Sequence, residues 1–131
     1  MTDYEPVHTI TDWYDGARAG VADLNGVHHY FENHWNESNQ CWNEIYLLQP
    51  IDDETFDFAI EDWGIWRRWE SSFKEGKTIQ EDHPALPEDQ ERHNELAKLL
   101  AERLVVSPDT SIKATAEFVY GQPTKVKWTV V

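Results

Sequence analysis

Asn25-Gly26 stands between two runs of strand-forming residues, Val21 to Leu24 and Val27 to Trp35, and this pair constrains the fold more than any other feature. A type I′ turn requires φ > 0 at both central residues, which Asn and Gly tolerate best. Such a turn also sets the register of its two strands. Leu24 then faces Val27, Asp23 faces His28, Ala22 faces His29 and Val21 faces Tyr30. Side chains alternate along a strand, so one face carries Ala22, Leu24, Val27, His29, Phe31 and Trp35. The other carries Val21, Asp23, His28, Tyr30, Glu32 and His34. The adjacent histidines therefore point to opposite sides, His29 toward the core and His28 toward Asp23.

Around this hairpin the pattern continues in strands. Val7 to Tyr14 is β-rich, Asp15-Gly16 and Gly20 bracket a turn, and Cys41 to Pro50 follows the turn at Asn36 to Gln40. After Pro50 the period changes. Asp52 or Asp53 suits a helix cap, acids fill the first turn, and Gly76 stops a helix that runs to about Lys74. Its apolar residues, Phe56, Phe58, Ala59, Ile60, Trp63, Ile65, Trp66, Trp69 and Phe73, cover more than half of the circumference, wider than an ordinary core-facing stripe. Gly64, costly in a helix interior, points to a close packing partner there. An irregular linker, Thr78 to Gln90, precedes a second amphipathic helix that opens at Pro87, carries Leu96, Leu99, Leu100 and Leu104, and ends by Ser107-Pro108. Two alternating strands, Ile112 to Tyr120 and Val126 to Val130, complete the chain.

The expected architecture is a single α+β domain over residues 1–131. Four N-terminal and two C-terminal strands form a curved antiparallel sheet of about six strands, its apolar face covered by the Trp-rich helix. A chain of 131 residues with seven Trp, five Tyr and five Phe has ample material for a core. Twenty-five acids against 11 bases give a formal charge of −14. That field disfavours nucleic acid and anionic membrane surfaces and favours basic proteins or cationic ligands. Cys41 is the one cysteine, so neither an intrachain disulfide nor a Cys-based zinc cluster is available. The opening residues lack a signal-peptide pattern and no apolar run is long enough to span a bilayer, which gives the expectation of a cytoplasmic protein.

Candidate sites are few. Asp23 and His28 form a cross-strand pair able to orient an imidazole, without a nucleophile of recognisable spacing beside it. Asp23, His28, Glu32 and His34 share a face. Residues two apart on a strand are ~6.6 Å apart, so at most Asp23, His28 and one neighbour, with help from elsewhere, converge. There is no His-Glu-x-x-His and no calcium loop, so no metal or other cofactor is expected. Arg18, in "DGARAG", is read as a loop arginine that pairs with a neighbouring acid or clamps a ligand carboxylate or phosphate, making Arg18, Asp23 and His28 a candidate polar site. In "EDWGIWRRWE", Trp63, Trp66 and Trp69 recur every three residues, and Arg67 lies four after Trp63, within reach of its ring. They form a candidate aromatic interface or a helix face packed on the sheet.

The pattern Tyr14-Asp15-Gly16-x-Arg18-x-Gly20-Val21-Ala22-Asp23-x-x-Gly26, followed by His29 and Phe31, resembles the opening of a group of small bacterial proteins without a known activity. "LLQP" at Leu47 to Pro50 and "HPALPED" at His83 to Asp89 are similar to the same group. The resemblance implies a bacterial cytoplasmic single domain and carries over no functional residue. The expectation is a small acidic, non-enzymatic binding module with a protein partner or a second copy of itself. The alternatives are an inhibitor or immunity-type protein for a basic partner, and a small-ligand protein or enzyme using Arg18, Asp23 and His28.

Overall fold

The computed structural model describes residues 4–131. Its strands are β1 (Glu5–Trp13), β2 (Ala17–Leu24), β3 (Val27–Asn36), β4 (Cys41–Pro50), β5 (Ile112–Val119) and β6 (Lys125–Val130), and its helices are α1 (Asp53–Lys74) and α2 (Gln90–Arg103), both between β4 and β5. By contacts the chain divides into two compact units. One comprises residues up to Asp53 together with Leu104–Val131, and the other is Glu54–Arg103.

In the first unit each strand pairs antiparallel with the next, and β6 returns to β1 through Glu5↔Val126 and Pro6↔Lys125, closing a barrel. The expected open sheet is corrected on this point. The register shifts at Val7/Thr9, Ile10/Asp12 and Asp12/Trp13 in β1–β2, and at Asn33/Trp35 in β3–β4. Bulges of this kind bend a strand and increase its twist. Gly20 is part of the same device. A Cβ there would meet the Thr9 carbonyl oxygen at 2.1 Å, so only glycine lets the two backbones come this close. The Thr9 hydroxyl accepts the N–H of Val21 at 3.0 Å.

The apolar face of the sheet lies inside the barrel and is filled by the strands themselves. Phe31 is fully buried, with ring centroids of Tyr46, Phe118 and Trp128 at 6.0, 5.9 and 5.6 Å. Small Ala17, Ala22 and Ala114 offset these rings, the mixture of large and small side chains that fills a narrow barrel. Side chains of the strands themselves supply this core.

In the second unit α1 and α2 run antiparallel and are clasped by polar pairs. Arg92 donates two bonds to Glu61 (2.6 and 2.7 Å), His93 Nδ1 lies 2.7 Å from Asp62, Arg68 donates two bonds to Asp89 (3.0 Å each), and Arg103 donates to Glu54 (2.6 Å). The linker holds two single 3-10 turns, Gln80–Asp82 and Pro87–Asp89, the second leading into α2. The buried face of α1 is Thr55, Ala59, Ile65 and Trp69, narrower than the sequence stripe, whereas Ile60 and Phe73 are exposed. Gly64 has no close partner: a Cβ there would meet only the Arg68 side chain, at 3.8 Å. The close approach expected at Gly64 is found at Gly20.

Candidate functional site

The first hairpin has the register read from its turn, with Leu24↔Val27, Asp23↔His28, Ala22↔His29 and Val21↔Tyr30. Asn25 and Gly26 adopt φ of 53° and 77°, as a type I′ turn requires. Glu5 on β1 fastens the turn, its two carboxylate oxygens accepting the N–H groups of Asn25 (3.0 Å) and Gly26 (2.9 Å). His29 is buried, and its Nδ1–H donates to the Val27 carbonyl at 2.7 Å. With Nδ1 as the donor, Nε2 is the ring's acceptor nitrogen in the neutral form.

His28 takes the opposite side. Its Nδ1 lies 2.6 Å from Asp23 Oδ1, and His8 Nε2 on β1 lies 2.9 Å from the same oxygen. The two imidazoles meet edge to face with centroids 5.2 Å apart. Three adjacent strands thus bring two histidines onto one carboxylate oxygen, and the donor atoms of His8, Asp23 and His28 all lie within 4.8 Å of one another. Sequence reasoning placed Asp23 with His28 and missed His8. The bulge between Val7 and Thr9 shifts the β1–β2 register at this residue, so alternation counted along β1 gives no signal for it. Glu32 and His34, which share the face in sequence, pair with each other instead at 2.6 Å. Glu32 also accepts the Tyr30 hydroxyl at 2.7 Å, and burial together with this bond pushes the Tyr30 phenol well above its ordinary range.

Arg18 belongs to a different place. It is the second residue of β2 rather than a loop residue, and five steps of ~3.3 Å separate it from Asp23 along the strand. Its Nε donates to the Tyr14 carbonyl (2.8 Å), Nη2 to the Asp15 carbonyl (2.9 Å), and Nη1 to Asn33 Oδ1 (2.9 Å) and the Tyr46 hydroxyl (3.4 Å). The guanidinium carbon lies 4.3 Å from the Trp42 ring centroid. Backbone carbonyls and neutral side chains, rather than the expected acids, thus hold this cation. Tyr46 in turn donates to the Ala17 carbonyl (2.8 Å); burial raises its phenol, while the Arg18 charge pulls against that rise.

The strand ends around Arg18 carry a run of surface rings that sequence reasoning did not assemble. Trp13 meets Tyr120 edge-on at 4.9 Å, Tyr14 meets Trp42 at 5.9 Å, and Trp42 meets Trp35 at 5.4 Å. Trp13, Tyr14, Trp35 and Tyr120 are between 40 and 67 % exposed. The β1–β2 turn joins the two limbs: Trp13 and Tyr14 are consecutive, and the Tyr120 hydroxyl accepts the Ala17 N–H at 2.9 Å. Asp12, Asp15, Glu37 and Glu44 are exposed in the same strand ends and turns.

The tryptophans of α1 do not form one continuous ridge. Trp63 and Trp66 stack at 5.1 Å, and Arg67 lies 6.0 Å from the Trp63 ring. Trp69 is buried and stacks instead on Phe73 at 5.0 Å, with His83 edge-on at 4.6 Å. Among the described residues, no helix is long and apolar enough to cross a membrane. Neither a protein-family model, nor a curated protein, nor a solved structure matches the chain.

Proposed function

We propose that this chain is a non-enzymatic binding module that takes a basic protein segment on the ring-bearing end of its barrel. The observation that carries this reading is the pair of ring runs Tyr120–Trp13 and Tyr14–Trp42–Trp35, joined through the consecutive residues Trp13 and Tyr14, exposed at the strand ends and backed by Arg18. Tyr and Trp are among the residues that most often anchor protein interfaces, because each offers large contact area with few rotors to freeze. Surface rings this numerous are otherwise an association liability for a soluble chain. The neighbouring acids Asp12, Asp15, Glu37 and Glu44 and the formal charge of −14 select the sign of the partner. Lysine and arginine side chains gain both ion pairs and cation–π contacts on such a surface.

The direct test is titration of a nona-arginine peptide, watched by tryptophan fluorescence and by amide NMR shifts. Saturable binding that weakens with salt and is lost in Trp13→Ala and Trp35→Ala supports the reading. Equal binding of a nona-glutamate peptide, or binding indifferent to both substitutions, refutes it. A concentration-dependent dimer that these substitutions abolish would replace the basic partner with a second copy of the chain.

A further inference from the structure

We propose that His8, Asp23 and His28 form a binding site for one divalent transition-metal ion of the zinc class. This goes beyond the reading above and is independent of it, because the site lies on β1, β2 and β3 toward the Asn25-Gly26 end, away from the surface rings.

The donor set is two imidazole nitrogens and one carboxylate oxygen, a combination that suits zinc and its first-row neighbours. Convergence is the second argument. His8 Nε2 and His28 Nδ1 both approach Asp23 Oδ1, at 2.9 and 2.6 Å, so the two rings already aim at one point. A tetrahedral shell at ~2.0–2.1 Å from the ion sets its ligand atoms ~3.3–3.4 Å apart. The oxygen must then part from each nitrogen by less than ~1 Å, a side-chain adjustment that leaves the strands where they are.

The scaffold is fixed where a metal site requires it to be. The Asp23 carbonyl accepts the Trp128 indole N–H at 3.1 Å, and the His28 carbonyl accepts the Ile51 N–H at 3.0 Å. Two of the three ligands thus have their own backbones tied elsewhere in the barrel, to β6 and to the residue that follows β4, so the strands that carry them are held in place. The three side chains are 13 to 28 % exposed, so an ion reaches them and water completes its shell. The acidic chain lowers the cost of adding two positive charges.

The same geometry without a metal is a hydrogen-bonded clasp joining three strands, and the experiment separates the two. Untagged full-length protein is titrated with zinc against a chromophoric chelator, and with cobalt to read the visible absorption that a low-symmetry site produces. One ion per chain is expected, with affinity at least about tenfold lower in His8→Ala and in His28→Ala. His34→Ala, which removes the exposed partner of Glu32, should bind as the wild type does. Because a clasp variant could lose its fold, zinc is also titrated into the wild type with the histidine ring resonances followed by NMR. Shifts confined to His8 and His28 support the site. The absence of stoichiometric uptake, or uptake that moves His34 or His93 instead, overturns it.

Discussion

The guanidinium of Arg18 rests over the Trp42 ring, its carbon 4.3 Å from the centroid, while its N–H groups close on Tyr14, Asp15, Asn33 and Tyr46. This cation ties β1's end to β3 and β4. Lysine has neither the planar fork nor enough donors to replace it. Arg18→Lys is expected to lower barrel stability by about 1.5–3 kcal/mol, the range for hydrogen bonds to a charged group. Urea unfolding measures it. A double-mutant cycle with Trp42→Ala should show clear non-additivity, since the two side chains are in contact.

Gly20→Ala should be among the most damaging single-methyl additions in the chain. The new carbon would sit 2.1 Å from the Thr9 carbonyl oxygen, a backbone atom with no rotamer to change. Overpacking costs roughly 1–3 kcal/mol where side chains can yield, so a loss at or beyond the top of that range is expected in denaturant. A substitution that leaves the midpoint unchanged would mean that β1 and β2 do not approach in this way.

Gly64→Ala has the opposite sign. The site lies inside α1, and a Cβ meets only the flexible end of Arg68 at 3.8 Å. Relief of the glycine penalty in a helix interior is worth about 1 kcal/mol. A raised thermal midpoint with unchanged far-ultraviolet circular dichroism is the expected record.

Acid should loosen the helical pair through Glu61. Its hydrogen bond from Arg92 holds the carboxyl below its ordinary value of 4.5. A carboxyl depressed in the folded state stabilises fully above its unfolded pKa, and the contribution is lost as pH falls through the folded value. Helical stability should therefore decline below about pH 4.5, and more steeply in wild type than in Glu61→Gln. The difference should be small, because both partners are largely exposed. Circular dichroism melts between pH 3 and 6 read it, and parallel curves for the two proteins would remove Glu61 from the account.

The hairpin at Asn25-Gly26 shows what can be read locally. Two consecutive residues with positive φ set the pairing of the four on either side. The Asp23–His28 pair and the burial of His29 follow from counting by two. The helix limits at Asp53 and Lys74 follow equally from caps, charges and Gly76. His8 is illegible by the same method, because a bulge beside it interrupts the count. Arg18 was misplaced for a related reason: the glycines around it suggest a loop, while the strand begins at Ala17 and its partners come from residues up to 28 positions away.

Sequence by itself determined the order of strands and helices, the register of the first hairpin and the alternating faces of the last two strands. Each of these depends on periods and turns that span only a few residues. Tertiary structure alone decided that the sheet closes, that a third donor joins Asp23 and His28, and that the surface rings gather around Arg18. Those outcomes depend on bend and register accumulated across six strands, and pairing between distant segments leaves no mark in any short stretch of chain.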